Sequence, residues 1–139
     1  MRGSCETIER ILIAIDTNIV IRALTNDDPM QAERVRALFD REQLFVSTTV
    51  LLEVAWVLRS SYSYAASRAS DALEAFIALP QVHLEHPDRA RHALRLARQG
   101  YDFADALHHA GAADAGCEGF ATFDRDLARL QEDPAVRLL

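Results

Sequence analysis

Short apolar runs alternate along this chain with longer stretches in which apolar residues return every three or four positions. Ile11-Leu12-Ile13-Ala14-Ile15 is an unbroken apolar run of strand length. Thr17 to Leu24 reads as a short helix that ends in the turn Thr25-Asn26-Asp27. Asp28-Pro29-Met30-Gln31 then starts a helix, with a capping Asp, Pro at the first helical position and Gln three residues after the cap. Ala32, Val35, Leu38 and Phe39 carry its apolar face to about Arg41. Leu44-Phe45-Val46 predicts a second, buried strand, and Ser47-Thr48-Thr49 offers caps for a helix from Val50 to about Arg59. The next helix runs from about Tyr64 to Leu79 and is stopped by Pro80. Val82-His83-Leu84 predicts a third strand, Pro87 opens a helix that Gly100 ends, and Asp102 caps a helix through Asp105 to about Ala115. Gly116 to Gly119 turns into a strand at Phe120-Ala121-Thr122-Phe123, a short helix follows from Arg125, and Ala135 to Leu138 adds an edge strand.

Strands alternating with helices predict an α/β fold, a parallel sheet covered on both faces. With no repeat, low-complexity tract or linker, the chain reads as one domain over residues 1–139. Residues 1–10 form a leader outside its motifs, and Met1-Arg2-Gly3-Ser4 reads equally as native or added.

Four acidic residues sit where these strands end and helices begin. Asp16 closes the first strand and Asp124 the strand at Phe120, while Glu53 and Asp105 lie about one turn into apolar helices. Ligands of open α/β sheets bind beyond the carboxyl ends of the strands. Carboxylates gathered there repel unless a cation holds them, and without paired Cys or His that cation is a hard one. Each acid also has a plainer role. Asp16 can cap the helix after it, and Asp105 three residues after Asp102 suits a capping-box position beside the helix dipole. Asp124 and Asp126 can be a cap and a first-turn acid, and Thr122 adds a hydroxyl to the same rim. Glu53 stands among Leu51, Leu52, Val54, Ala55, Val57 and Leu58, which predicts burial and therefore a metal or a partner. The plainer alternatives are a buried arginine pair or an exposed stripe shared with Trp56 or Ser60. His108 and His109 lack a third ligand at zinc-like spacing and read as helix-surface residues.

Composition narrows the classes. Half the residues are hydrophobic and 26% charged, ordinary for a globular protein. No apolar run approaches the ~20 residues of a membrane span, and no signal peptide is evident. Cys5 and Cys117 are too few for a disulfide framework, which suggests a reducing cytoplasm. A net charge of -6 argues against a broad basic surface for nucleic acid. The basic residues are all arginine, a side chain whose planar fork suits phosphate, though a GC-rich genome produces the same bias.

Four segments together resemble the PIN domain, and more narrowly the VapC-type toxins of bacterial and archaeal toxin–antitoxin pairs. They are Ile15-Asp16-Thr17-Asn18-Ile19-Val20-Ile21-Arg22, Ser47-Thr48-Thr49-Val50-Leu51-Leu52-Glu53, Asp102-Phe103-Ala104-Asp105-Ala106-Leu107 and Thr122-Phe123-Asp124-Arg125-Asp126-Leu127. The resemblance implies a three-layer α/β/α sandwich around a central parallel sheet and an endoribonuclease dependent on Mg²⁺ or Mn²⁺. Carried over by position, Asp16, Glu53, Asp105 and Asp124 are the catalytic and metal-binding acids, with Asp126 a further candidate ligand. Thr17 and Asn18 would support the first acid and Thr122 the last. It also implies an RNA substrate, a homodimer and a cognate antitoxin that obstructs the active site. Two other classes remain open. An aspartyl-nucleophile phosphohydrolase would attack through Asp16, but that chemistry expects an Asp where Asn18 stands and a later lysine. A non-catalytic module would accept a partner's arginine in its acidic cleft.

Overall fold

The computed structural model describes residues 11–25 and 27–139, so the leader at 1–10 and Asn26 of the expected turn lie outside the described residues. Five strands and six α-helices follow one another as β1 (Leu12–Ala14), α1 (Thr17–Leu24), α2 (Pro29–Arg41), β2 (Gln43–Val46), α3 (Thr48–Ser60), α4 (Ala66–Ile77), β3 (Val82–Leu84), α5 (Pro87–Arg98), α6 (Phe103–Asp114), β4 (Gly119–Thr122) and β5 (Ala135–Leu138), with a 3-10 turn at Leu127–Arg129 before β5. Every strand pairing is parallel, the geometry that helical crossovers impose. The fold is the α/β/α class that the alternation predicts. The strands are hydrogen-bonded in two ladders, β1-β2-β3 and β4-β5.

Local chemistry explains most boundaries. The side chains of Asp16, Asp28, Ser47 and Asp102 each accept an N–H from the first turn of the helix that follows, satisfying a donor that has no partner inside the helix. Pro29 and Pro87 occupy first-turn positions where no N–H is needed. Gly100 adopts φ 103° just past α5, a conformation that a side chain would strain. Helix α4 is shorter at both ends than its apolar pattern suggests. Ser63 takes φ 56° and Ala65 is an extended N-cap without a side-chain bond, so the helix begins at Ala66. At the other end, Pro80 disfavours a helical Leu79, and the chain tightens from Ala78.

Two apolar clusters hold the molecule together. The larger packs β2 (Leu44, Val46) against α3 (Val54, Leu58) and α4 (Leu73, Phe76). The smaller joins α5 (Ala93, Leu96), α6 (Ala106, Leu107) and the 3-10 turn (Leu127, Leu130). Phe103 touches both clusters, and Leu52 of α3 reaches the second. Strand β1 is at the edge of its ladder, so Asp16 does not end a central strand; Leu12 and Ile13 are about 40% exposed. None of the helices described is long and apolar enough to cross a membrane.

His109 departs from its expected surface position. It is wholly buried on α6, its ring 5.8 Å from that of Phe120 on β4, and its Nε2–H donates to the Pro134 carbonyl at 2.8 Å. Helix α6 buries Ala106, Leu107, His109 and Ala110 on one face, and the imidazole fills the space between that face and the β4–β5 ladder. His109→Ala should therefore cost about 3 kcal/mol of folding free energy, from the lost contacts plus an unpaired buried carbonyl. Urea unfolding measures it, and a loss below about 0.5 kcal/mol would show that the ring is not a clamp.

Candidate active site

The first half of the site is built where β1 runs into α1. Asp16 Oδ1 accepts the Ile19 N–H at 3.1 Å and fixes the helix start, so its plainer capping role is real. Thr17, the next residue, donates its hydroxyl to Glu53 Oε1 at 2.6 Å, tying the end of β1 to the middle of α3. Glu53 itself is exposed, which overturns the expectation of burial. Helix α3 buries Leu51, Val54, Ala55 and Leu58, while Glu53, Trp56, Arg59 and Ser60 form an open stripe with Trp56 67% exposed. An apolar-looking sequence still leaves one face in water when nothing packs against it. Asn18 lines a groove between α1 and α2 together with Asp16 and Arg22.

The second half is built around the start of α6 and the end of β4. Asp102 Oδ2 accepts the Asp105 N–H at 3.1 Å and caps α6. Asp124 is held by its own turn: its N–H donates to Thr122 Oγ1 at 3.0 Å, and its Oδ1 accepts the N–H of Asp126 at 2.8 Å and of Leu127 at 3.3 Å. Asp105 and Asp124 line the same cavity, and the charge of Asp124 bears on the Asp105 carboxyl. Partial burial pushes the Asp105 carboxyl up from its ordinary range, and the nearby charges of Asp102 and Asp124 add to the shift while His108 opposes it. Asp126 lies on the same rim, but its side chain is exposed and turned 3.5 Å from Arg129.

Asp102, Asp105, Asp124 and Asp126 line one cavity of about 240 Å³ together with Arg59 and Tyr101. Arg59, Tyr101 and Asp102 also line an adjoining cavity of about 590 Å³, which contains Glu53 and Trp56. Asp105 and Asp124 thus come together, Glu53 faces the adjoining space, and Asp16 opens on the α1–α2 groove. The expected single cluster of four acids does not form. Asp16 and Asp124 follow strands of different hydrogen-bonded ladders. Among the described residues, no three Asp, Glu, His or Cys side chains stand as a ready metal-binding group. The Asp105–Asp124 pair still suits a hard divalent ion of the magnesium kind, which keeps several waters and uses one or two carboxylates. A cation held between two such carboxylates would also relieve their mutual repulsion.

Two site residues were not evident from the motifs. Asp102 looked only like a cap, although three residues before Asp105 on a helix it shares that residue's rim. Tyr101, just before the α6 cap, enters the site through the packing of α3 beside α5 and α6, whereas Arg59 is, with Arg22 and Arg125, among the arginines nearest the motifs in sequence and expected to grip substrate.

A raised carboxyl pKa carries a stability consequence. Folded Asp105 keeps its proton to higher pH than the unfolded chain does, so its contribution falls as pH rises from the ordinary carboxylate value of about 4 towards the raised one. In chelator, Asp105→Asn should unfold at a higher temperature than the parent at pH 7, and this advantage should vanish below about pH 4. Melting curves at both pH values check it; an equal effect at the two pH values would remove the electrostatic explanation.

The family model of the PIN domain matches residues 13–133. No curated protein matches the chain at a significant level. Among solved structures, the chain is similar to Mycobacterium tuberculosis VapC20, a Sarcin-Ricin loop cleaving toxin, at 21% identity and a TM-score of 0.43, covering 84% of this chain and 92% of that one. It is also similar to VapBC2 from Rickettsia felis bound to a DNA fragment from their promoter, at 15% identity and a TM-score of 0.39, covering 92% of this chain and 98% of that one. Since the family match runs from β1 to the threshold of β5 and takes in all four acidic segments, the chain belongs to the PIN domain family.

Proposed function

We propose that this chain is an endoribonuclease that hydrolyses RNA phosphodiesters with Mg²⁺ or Mn²⁺, and that it is the toxin of a VapC-type pair. The observation that carries the reading is the Asp105–Asp124 carboxyl pair on a rim shared with Asp102 and Arg59, in a PIN domain. The toxin role rests on the order and spacing of the four motif segments, and with it come an antitoxin partner, a homodimer and a cytoplasmic site of action.

Asp105 and Asp124 would hold the metal, with Asp126 able to join them by turning from Arg129. The bound ion would lower the pKa of a water and neutralise charge on the phosphate. Glu53 is accessible and fixed by the Thr17 hydroxyl, so its carboxylate can orient the attacking water and take its proton. Water adds to phosphorus and one P–O ester bond breaks. Arg59 faces both cavities and presents a guanidinium to the phosphate. Asp16 holds the α1 start that carries Thr17, and its second oxygen remains available to water or metal. Thr122 fixes the Asp124 turn.

The lack of a ready three-ligand group among the described residues favours one second reading, the acidic cleft that accepts a partner's arginine without turnover. The phosphohydrolase reading is not supported by the residues at hand, with Asn18 in the second acidic position and no lysine in the chain.

Purified protein, freed of any partner, should cut a mixed pool of structured RNAs at discrete internal positions with Mg²⁺ or Mn²⁺ and not in chelator. Asp16→Asn and Asp105→Asn should each lower the rate by roughly 10²–10⁴-fold. No cutting in any arm, from folded protein that binds metal, would transfer the weight to the interaction module. Within an active enzyme, Thr17→Val should lower kcat by about tenfold with KM little changed, because it releases Glu53 without removing it. Retention of full kcat would show that the Thr17–Glu53 bond has no part in catalysis.

A further inference from the structure

The groove between α1 and α2 is the feature that the carboxylate site does not use. It has a volume of about 460 Å³ and begins at Asp16, and Arg22, Arg34 and Arg41 line it with Asn18 and Gln31. Three arginines and one carboxylate line it, and with Arg22 paired to Asp27 a local excess of positive charge remains on a chain whose net charge is -6. The pattern of α2 explains how. Gln31, Arg34 and Arg41 recur at helical spacing on the groove side, Ala32, Val35 and Phe39 are buried, and Glu33 and Asp40 fall on another face. Arg34 and Arg41 are two turns apart, about 10 Å along the helix.

Two of the three arginines stand apart from the ion-paired arginines of the described residues, while Arg22 is paired with Asp27. Arg89, Arg91, Arg95, Arg98 and Arg129 are each engaged by a carboxylate. Arg34 and Arg41 have no ion pair among the described residues and are exposed. Arg22 is pre-set: its Nε donates to Gln31 Oε1 at 2.6 Å and one terminal nitrogen lies 3.5 Å from Asp27 and 3.4 Å from the Tyr62 hydroxyl, leaving the other terminal nitrogen for a ligand. Asp27 is turned towards Tyr62, whose hydroxyl donates to it at 2.6 Å. The groove therefore offers one ordered guanidinium and two free ones in a line that starts at a proposed site acid.

We propose that the α1–α2 groove is a subsite for the RNA backbone flanking the scissile phosphate, with Arg34 and Arg41 binding phosphates and Arg22 held ready as a third contact. The identity of the ligand rests on the ribonuclease reading. Ile19, Val35 and Leu38 make the rest of the lining apolar, and the planar guanidinium forks spaced along it suit a repeating phosphodiester. It extends the binding surface along α2, away from the carboxylates.

The test measures binding of a fluorescent single-stranded RNA in chelator, where turnover does not interfere. Arg34→Ala/Arg41→Ala should weaken binding by roughly tenfold and reduce the dependence of log K on log salt by about 1.4, the value for two lost contacts to a single strand. A control with the same loss of charge, Arg36→Ala/Arg91→Ala, should stay within about twofold of the parent. Equal weakening in both variants, or none in the groove variant, overturns the subsite. So does loss of binding to poly-glutamate without loss of RNA binding, which would assign the groove to an acidic protein segment. Because binding is read without metal, the two proposals fail separately. A parent that binds RNA through the groove but never cuts it sinks the nuclease alone; a parent that cuts while the groove variant binds normally sinks the subsite alone.

Discussion

Carboxylates repel one another, and the site tolerates several because most have a donor of their own. Asp16 has the Ile19 N–H, Glu53 the Thr17 hydroxyl, Asp102 the Asp105 N–H, and Asp124 two N–H groups of its turn. The Thr17–Glu53 bond ties α1 to α3, and each of the others sets a local structure, a helix start or a tight turn, so folding and site assembly are one event. Asp105 is the member left short. Burial, and then the neighbouring charges of Asp102 and Asp124, push its carboxyl up from the ordinary range. A group in that position is where an added cation changes most.

Helices rather than strands connect the two halves of the site. The two ladders each carry one strand-end acid, and α3 spans the gap, with Leu51, Val54, Ala55 and Leu58 in one core and Leu52 reaching the other. Phe103, beside the Asp102 cap, packs against both cores. The placement of Glu53 and Arg59 relative to Asp105 and Asp124 thus depends on how α3 packs against α5 and α6. Changes in those apolar contacts would move the acids without touching any of them.

Charge is arranged locally on this chain. Many arginines are consumed in surface pairs, several along α5, and each such pair contributes little to stability because it is solvated. Arg34, Arg41 and Arg59 have no ion pair among the described residues and line cavities that site carboxylates also line. An acidic protein can bind an anionic polymer when its free cations lie in grooves and its carboxylates are paired, capped or bound to metal.

The sequence by itself determined the elements and the family. Caps at Asp16, Asp28, Ser47 and Asp102, prolines at Pro29 and Pro87, and apolar spacing are local signals, acting over about one helical turn, and they place α1, α2, β3 and β5 at the expected residues. The sequence grouped Asp16, Glu53, Asp105 and Asp124 together and did not single out the pair Asp105 and Asp124 that line one cavity. Tertiary structure decided which faces find a partner. Glu53 looked buried because its neighbours are apolar, yet among the described residues that stripe of α3 is exposed. His109 looked like a surface residue, yet β4 covers it. Asp16 and Asp124 looked like neighbours on one sheet, yet their strands lie in separate ladders. Periodicity reports which residues can share a face; only the packing of distant segments reports what that face meets.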